Sequence, residues 1–503
     1  MAEERRAPPA AMDLRRRLPR RALLGAAGAL ALGGGSRPAA ASAPFAEAEL
    51  AHARDLRERG LADRTAHRLV RELCTGIGAR PAGSPEDAKA RAWAMGALTA
   101  LGLENVRAEA FPLRVWRRGP AAARLTAPQP RPLVMAALGN SVATPAGGLD
   151  AEVAWYPSLA ALRADTTDRE QSRANGRIVF IDERTARTRD GRGYGNAVLA
   201  RINGPVEAAR RGAVALAIRS IGTSGEAGSG GSERAGTSPV AHTGATRYDL
   251  SVPRIPAFAV SVPDAEYIAA WQASGQMMRM HVDLQTRSGV DASTANVIAE
   301  WRGTDLADEV VLISAHLDTW DVGEGAEDDG AGVGIVCAAA GLMASAKRRA
   351  RRTIRVVLFG NEENGFDGAL QYGNRYKDVP HQLVAESDFG AGRIYAVRSR
   401  VAPAALPVID AMAEVLAPLE IAHPEATRNQ GNPGPDAGVL MRRHRWPAIA
   451  LSQDGSRYFD VHHTVHDMFE HLDTAGLPQN VAAWAVTAWL AAQSPLPFGP
   501  PVL

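Results

Sequence analysis

The chain has 503 residues, with 57 Lys and Arg against 55 Asp and Glu, and its formal net charge of +2 excludes a strong overall field for nucleic acid or an anionic membrane. An apolar fraction of 46% and a charged fraction of 22% are typical of globular proteins. This length allows two or three ordinary domains, or one large α/β domain with an insertion. Two cysteines, Cys74 and Cys337, are too few for a disulfide framework, and the apolar surroundings of Cys337 predict a buried thiol.

Residues 1–43 have the layout of an export signal. They hold eight arginines and three acidic residues, then a short apolar run from Ala22 to Leu32, and they end on small residues. That run is too short to span a bilayer. A disordered basic tail would account for neither the apolar run nor the small residues that follow it. The pair Arg20 and Arg21 before "ALL" resembles a twin-arginine signal. We therefore predict an exported protein, periplasmic or extracellular, whose mature form has no membrane segment.

Residues 44–125 are predicted to form the N-terminal part of the main domain. Over residues 45–110, apolar positions recur three and four apart, which predicts helices. Ser84 followed by Pro85 is a favourable helix start, because Ser caps the helix and Pro fits its first position.

Residues 126–290 are predicted to form a small inserted domain. The β-branched runs "GRIVFID" and "GAVALAIRS" flank the helical "PVEAARR" as in a βαβ unit, and "RIPAFAVS" reads as another strand. Between them, the Gly/Ser-rich "TSGEAGSGGSERAGTSPVAHTG" predicts a mobile surface loop.

Strand-like and helix-like segments alternate over residues 291–503. The strand-like runs include "NVIAEW", "EVVLISAHLD", "TIRVVLFG", "RIYAVRS" and "WPAIALSQ", with helical segments between them. This alternation predicts an α/β fold with a mixed, largely parallel sheet and helices on both faces. Ligands of such sheets bind at the carboxyl ends of the strands.

The stretch "SAHLDTWDVGEGAEDDGAG" places one histidine and six carboxylates directly after an apolar run. Buried charge is costly unless it is paired or bound to metal, so either this segment is a solvated loop or cations bind there. His316 and Asp318 are two apart at a strand end and share a face. Asp328 and Asp329 come just before a predicted helix. A helix N-terminus favours one carboxylate, but it does not explain two adjacent carboxylates close to His316 and Asp318.

Further polar residues follow later strand-like runs. Glu362 and Glu363 come after "RVVLFG", Asp388 comes after "LVAES", and "FDVHHTVHD" offers three histidines, including His462 and His463. Each of these alone is more often structural or solvated than catalytic. Five such positions at strand ends of one α/β domain favour a common site.

The chemistry of these side chains is consistent. Imidazoles and carboxylates without thiolates suit zinc in a hydrolytic site. Three or four carboxylates are too many for one tetrahedral zinc ion but suit a pair of ions ~3.5–4 Å apart that share a bridging ligand. Two divalent cations would also neutralise the acidic stretch.

Four segments carry a family resemblance. In this order, "HLDTWDVGEGAEDDGAG", "NEENG", "ESDFG" and "HHTVHD" closely resemble the motifs of the co-catalytic di-zinc exopeptidases, which include bacterial secreted aminopeptidases and carboxypeptidase Q (plasma glutamate carboxypeptidase). "NGPVEAARRGAVALAIRS" and the acidic stretch look most like carboxypeptidase Q. The likeness covers residues 60–495, and the middle domain resembles a protease-associated insertion.

The resemblance implies a set of metal ligands. His316 and Asp388 would bind one zinc ion, Glu363 and His463 would bind the other, and Asp328 would bridge the two. The family pattern has Thr directly after the ligand histidine, which selects His463, although the aspartate that follows in the pattern comes one residue late. A cis peptide bond after Asp328 is also implied.

The resemblance also implies catalytic positions. Asp318 would orient His316, and Glu362 would be the general base that takes a proton from the attacking water and gives it to the leaving amine. His462 would donate to the oxyanion, or else be an ordinary core histidine. Asp436 begins a helix, so a capping role and a substrate-facing role are both open.

Three kinds of protein are compatible with these motifs. The first is a secreted di-zinc peptidase that hydrolyses short peptides, of the dipeptidase and carboxypeptidase Q type or of the aminopeptidase type. The second is a glutaminyl-cyclase-like enzyme with one zinc ion per chain. The third is a non-enzymatic, receptor-like protein, which would have lost metal ligands. A peptide substrate is the expected partner, and the middle domain would either shape the substrate cleft or support a homodimer.

Overall fold

The computed structural model of the protein describes residues 44–223, 239–346 and 348–503. The predicted export signal and most of the predicted Gly/Ser-rich loop lie outside these ranges. The strands of the described part are β1 (Glu104–Arg117), β2 (Ala121–Ala127), β3 (Arg131–Leu133), β4 (Met135–Ala137), β5 (Leu149–Tyr156), β6 (Ile178–Ile181), β7 (Ala215–Arg219), β8 (Ala257–Val260), β9 (Arg279–Leu284), β10 (Arg287–Trp301), β11 (Leu306–His316), β12 (Arg352–Phe359), β13 (His381–Glu386), β14 (Ile394–Arg400) and β15 (Ala448–Gln453). Its α-helices are α1 (Glu47–Ala62), α2 (Thr65–Gly76), α3 (Pro85–Ala100), α4 (Leu159–Ala164), α5 (Arg192–Arg210), α6 (Val262–Ala273), α7 (Ala331–Ser345), α8 (Glu362–Gly365), α9 (Asp367–Arg375), α10 (Leu406–Leu416), α11 (Pro435–His444), α12 (Tyr458–Val461) and α13 (Leu477–Gln493).

The first sheet has seven strands in the order β1-β10-β12-β11-β13-β15-β14. Its four neighbouring strands β12, β11, β13 and β15 are parallel, whereas β1, β10 and β14 pair antiparallel with their neighbours. The prediction of an α/β fold with a mixed, largely parallel sheet is therefore confirmed.

Helices cover both faces of this sheet. Strand β11 shows why, because its residues alternate between two apolar cores: Val311 and Ile313 contact the core that contains α7 and α13, while Val310 and Leu312 contact the core that contains α9 and α11. A strand with apolar side chains on both faces is typical of a sheet buried between two helical layers.

Several local predictions are confirmed. Helix α3 begins at Pro85, and the Ser84 hydroxyl accepts the N–H of Asp87 at 3.0 Å. Strands β6 and β7 are parallel and joined by α5, which is the predicted βαβ unit. The prediction of helix up to residue 110 is wrong beyond α3, because β1 begins at Glu104. That segment pairs antiparallel with β10, and this distant partner outweighs its helix-like pattern.

A second sheet of eight strands has the order β3-β2-β9-β5-β6-β7-β8-β4. Its strands all lie within residues 121–284, which we call the second-sheet region. Helices α4 and α5 pack on one face and α6 packs on the other. This segment overlaps the predicted insert of residues 126–290, and β10 then returns the chain to the first sheet.

Both cysteines are buried and free. Burial raises the pKa of Cys74 and of Cys337 to about 12, so neither thiol is suited to act as a nucleophile. None of the described helices is both long and apolar enough to cross a membrane.

The contact between α1 and α13 depends on a glycine. A Cβ added at Gly60 would lie 2.5 Å from the Cα of Ala482, so one helix would have to move. We expect Gly60→Ala to lower the free energy of unfolding by about 1–3 kcal/mol, as overpacked cores do. The measurement is a thermal or urea unfolding curve.

Gly96 in α3 provides the matched control. A Cβ at Gly96 would have no neighbouring atom within 4 Å. Because Ala is the better helix former, Gly96→Ala should leave stability unchanged or raise it by about 0.5–1 kcal/mol. Equal destabilisation by both substitutions would contradict the packing argument.

Candidate metal centre

The residues predicted to bind metal meet at one edge of the first sheet. They are His316 at the end of β11, Asp328 in the loop before α7, Glu363 in α8, Asp388 after β13 and His463 after α12. Strands β11, β12 and β13 are adjacent and parallel, so their carboxyl ends share this edge. Segments distant in sequence therefore deliver their polar side chains to one place.

Asp328 lies between two imidazoles. Its Oδ1 is 3.0 Å from Nε2 of His316, and its Oδ2 is 3.0 Å from Nε2 of His463. Oδ1 of Asp388 is 3.5 Å from the same nitrogen of His316, and Oε2 of Glu363 is 3.1 Å from that of His463. One carboxylate thus joins two clusters, each of which has an imidazole and a second carboxylate.

The donor set fits divalent metal ions. Two groups of three residues could each hold an ion, because the three ligand atoms of each group lie within 4.8 Å of one another. One group is His316, Asp328 and Asp388, and the other is Asp328, His462 and His463. Imidazole nitrogens and carboxylate oxygens without thiolates suit zinc. Oε1 of Glu363 is buried and has no hydrogen-bond partner in the described part of the chain, a costly state that a bound cation would relieve.

His462 lies inside this cluster. Its ring stacks on His463 with centroids 3.5 Å apart, and its Nε2 is 3.4 Å from Oδ2 of Asp328. Its Nδ1 is buried without a partner among the described residues. Of the two histidines, His463 also contacts Glu363, so the contacts favour His463 as the ligand that pairs with Glu363.

Burial and neighbouring charges set the pKa values of the cluster. Burial would lower the pKa of His463, but Glu363 and Asp328 outweigh burial and raise this pKa to about 9. Burial, with Asp328 adding to it, raises the pKa of Glu363 to about 7. Burial would also raise the pKa of Asp328, but hydrogen bonds from His316 and His463 hold it well below its usual range. Protons on the imidazoles thus balance the carboxylates, and a divalent cation would displace those protons on binding.

Asp318 supports the centre by a route that differs from the expected one. Nδ1 of His316 is 2.9 Å from the main-chain carbonyl oxygen of Asp318, to which it donates when Nε2 is the ligand atom. The carboxylate of Asp318 is 3.9 Å from that nitrogen, and its Oδ1 instead accepts the N–H of Glu362 at 3.0 Å. Asp318 therefore orients His316 through its main chain and positions Glu362 through its side chain.

Two further residues shape the acidic loop: Arg80, which sequence reasoning missed, and Asp467, the aspartate that comes one residue late in the family pattern. Arg80 is fully buried and donates from Nε to the carbonyl of Leu317 at 2.6 Å and from Nη1 to that of Glu324 at 2.6 Å. The carboxylate of Asp467 accepts three successive main-chain N–H groups, those of residues 326, 327 and 328, at 2.9, 2.7 and 3.2 Å. The peptide bond after Asp328 is cis, as the resemblance implied.

Residues of the second-sheet region form hydrogen bonds with His462 and His463. Nδ1 of His242 is 2.7 Å from the carbonyl oxygen of His462, and the N–H of Thr243 donates to the carbonyl of His463 at 3.0 Å. The carbonyl oxygen of Thr243 lies 3.3 Å from Nδ1 of His463 and fixes that ring. The backbone of His463 is in the left-handed region, with φ of 61°, which is uncommon for a residue other than glycine. Contacts with the second-sheet region therefore determine where this histidine lies.

A second anchor lies one turn earlier in the chain. Nη2 of Arg187 donates to the carboxylate of Asp460 at 2.6 Å, and the hydroxyl of Thr223 donates to the same carboxylate at 2.8 Å. No sequence motif marks these residues, because their partners are more than 200 positions away.

A cavity of about 820 Å³ opens onto the centre. Its wall includes Glu362 and Asp388 from the first sheet and Tyr194 and Arg201 from α5. A volume of this size suits a small ligand, since such sites measure ~300–1,000 Å³. Asp436 is not among the lining residues: it is fully buried in the first turn of α11, its side chain does not cap that helix, and neither of its oxygens has a described hydrogen-bond partner.

Comparison with known proteins identifies the relatives of this chain. The family model described as "Peptidase family M28" matches residues 296–488. Carboxypeptidase Q from Mus musculus is 32% identical over 394 residues, which cover 78% of this chain and 78% of the mouse protein. Human carboxypeptidase Q is 31% identical over 439 residues, which cover 86% of each chain.

Solved structures agree with this assignment. The crystal structure of a peptidase M28 precursor from Shewanella amazonensis SB2B is 40% identical, with a TM-score of 0.83, and covers 91% of this chain and 99% of that chain. A zinc aminopeptidase from Bacillus subtilis shares the fold at 18% identity, with a TM-score of 0.58 and coverage of 85% and 93%. With relatives this similar over most of their length, the resemblance found in the sequence is confirmed, and the chain belongs to the M28 family of peptidases.

Proposed function

We propose that this peptidase is an exported, zinc-dependent exopeptidase that hydrolyses short peptides in the manner of carboxypeptidase Q. The observation that carries the proposal is the bridging position of Asp328, with His316 and Asp388 on one side and Glu363 and His463 on the other. The predicted signal in residues 1–43 supports export.

These five residues would hold two zinc ions per chain. Bound divalent ions supply Lewis acidity, which lowers the pKa of water toward ~7 and polarises a carbonyl group. The buried, thiolate-free donor set and the unpartnered Oε1 of Glu363 support this metal pair.

Glu362 has the position expected of the general base. It lines the cavity next to the ligand Glu363, and its N–H is held by the Asp318 carboxylate at 3.0 Å. Burial raises the pKa of Glu362 well above its usual range, with Asp388 and Glu363 adding to the rise, which suits a group that accepts a proton and then gives it up. Glu362 would take a proton from the attacking water and pass it to the leaving amine.

His462 remains the candidate donor to the oxyanion. Its ring lines the cavity next to Asp328, within reach of a carbonyl oxygen bound at the centre. An ordinary core histidine would not face the cavity, so its position supports the donor role.

Two alternatives from the sequence have less support. A receptor-like protein would lack ligands, whereas the five expected residues converge. A glutaminyl-cyclase-like enzyme would use one zinc ion, whereas the contacts of Asp328 favour two linked clusters. An aminopeptidase would share the same ligand set, so only substrates with blocked ends separate it from a carboxypeptidase or dipeptidase.

Metal analysis combined with a dipeptide panel tests the function. We expect two zinc ions per chain and hydrolysis of free dipeptides, and loss of activity on removal of metal by a chelator. The panel includes each dipeptide with its amino end acetylated and with its carboxyl end amidated. A metal-loaded protein that hydrolyses no member of the panel would overturn the proposed activity.

Replacement of the general base separates chemistry from metal binding. In Glu362→Gln the amide cannot accept the proton of the attacking water, so we expect turnover to fall by ~10²–10⁴-fold. The zinc content, measured by elemental analysis, should equal that of the wild type because Glu362 is not one of the proposed ligands. Full activity in a metal-replete Glu362→Gln protein would remove this residue from the mechanism.

Asp467 should affect the affinity for zinc although it is not one of the proposed metal ligands. Asparagine has one acceptor oxygen where the carboxylate has two, so Asp467→Asn leaves part of the loop before Asp328 unsupported. Loss of a supporting hydrogen bond of this kind lowers metal affinity by ~10–100-fold. Competition with a chromogenic chelator measures the change.

The exposed Glu470 nearby is the control for this measurement. Glu470→Gln removes a charge that is close to Asp467 in sequence. In the described structure the Glu470 side chain has no hydrogen bond or ion pair with the loop before Asp328. Its zinc affinity should therefore match the wild type. The same affinity in Asp467→Asn as in Glu470→Gln would show that the loop does not need these hydrogen bonds.

A further inference from the structure

The cavity next to the metal centre has a cationic side. Arg398, on β14, lines it with a guanidinium that two neutral hydroxyls fix: Nε donates to Oγ1 of Thr427 at 3.2 Å, and Nη1 donates to Oγ of Ser452 at 3.0 Å. Within the described residues, no carboxylate lies within ion-pairing distance of Arg398, and its Nη2 has no hydrogen bond. A positioned guanidinium without a counter-ion is a ready site for an anion.

The other arginines of the cavity are less suited to this role. Both terminal nitrogens of Arg201 already have protein partners, since Nη1 donates to the carbonyl of Thr243 at 3.1 Å and Nη2 donates to the hydroxyl of Tyr194 at 2.8 Å. Arg247 is exposed, and no side-chain contact in the described structure fixes it. Arg398 is thus the guanidinium of the cavity that is both positioned and free to bind.

The sheet order brings Arg398 to the same cavity as the metal centre. One strand, β15, lies between β13, which leads to Asp388, and β14, which carries Arg398. Neighbouring strands are ~4.8 Å apart, so the main chains of β13 and β14 are roughly 10 Å apart across the sheet. Arg398 pairs with Ala450 of β15, below the edge at which Asp388 lies, and Arg398 and Asp388 line the same cavity. The cavity of about 820 Å³ that they share has room for a dipeptide, whose scissile carbonyl and terminal carboxylate are only one residue, about 3.8 Å, apart.

We infer that Arg398 binds the free α-carboxylate of the residue that follows the scissile bond, with Ser452 as a supporting hydroxyl. Arg398 would then select substrates whose carboxyl end lies one residue beyond the metal centre, which are dipeptides and peptides cleaved from the carboxyl end. The inference rests on the proposed function and adds the polarity of the substrate, which the metal ligands do not determine. A guanidinium pairs with a planar carboxylate through two parallel N–H donors, whereas a carboxamide is neutral and accepts through one oxygen.

Arg398→Ala tests this assignment with the dipeptide Ala-Leu and its carboxyl-terminal amide. We expect the wild type to prefer the free dipeptide. In Arg398→Ala the KM for the free dipeptide should rise roughly 10- to 100-fold, the range for a lost hydrogen bond to a charged group, while hydrolysis of the amide stays nearly constant. Arg398→Lys keeps the positive charge but lacks the two parallel N–H donors of a guanidinium. This variant should recover part of the preference for the free dipeptide over its amide.

Arg400→Ala is the matched control. Arg400 lies on the same strand, but its guanidinium donates to the carbonyls of Gly431 and Val502 and is not part of the cavity wall. This variant should keep the wild-type ratio of free to amidated substrate. Thermal unfolding of both variants separates a change in specificity from a loss of folding.

A binding measurement keeps the assignment independent of turnover. Calorimetric titration of Ala-Leu into zinc-loaded Glu362→Gln should show weaker binding, by the same roughly 10- to 100-fold, when Arg398→Ala is added. Unchanged affinity there, or an unchanged ratio of free to amidated substrate in Arg398→Ala, would overturn the inference. A wild type that accepts the amide and rejects only the acetylated dipeptide would also overturn it, while leaving the proposed peptidase activity intact. A wild type that hydrolyses no dipeptide would instead contradict the proposed function.

Discussion

The interaction on which the rest of this structure depends is the pair of contacts that the Asp328 carboxylate makes with His316 and His463. A carboxylate buried between two imidazoles is stable only if its loop is held in one place and its charge is balanced. Arg80 and Asp467 satisfy the first condition through main-chain hydrogen bonds. The histidines, and in the proposed active form a pair of divalent ions, satisfy the second.

The two halves of the centre are supported in different ways. The half around His316 is built on the first sheet, where adjacent parallel strands bring Asp388 and the glutamates of α8 to the same edge. The half around His463 follows a short helix and has an unusual backbone conformation, so it depends on Thr243 for its position. The resulting cavity is lined by carboxylates of the centre and by the guanidinium of Arg398, and such a combination suits a small substrate that carries its own charges.

Much of the fold and of the centre could be predicted because the signals are local. The alternation of apolar residues in β11 and the cap at Ser84 depend on neighbouring positions, and the candidate metal ligands lie in short motifs whose order is recognisable. Arg80 and Thr243 could not be found in this way, because each acts through one partner far along the chain and belongs to no motif. The helix-like pattern after Glu104 misled for the same reason, since β1 owes its conformation to β10.

Thr243 contacts His463 through its main chain alone, since its N–H donates to the carbonyl of His463 and its C=O lies beside the imidazole. Main-chain partners tolerate changes of side chain but not changes of chain length, because an inserted or deleted residue shifts every following donor and acceptor. A substitution at residue 243 therefore keeps both main-chain hydrogen bonds to His463, whereas a substitution of Arg201 in α5 removes a donor to the carbonyl oxygen of Thr243. An insertion or deletion next to residue 243 would therefore displace both of its contacts with His463 at once.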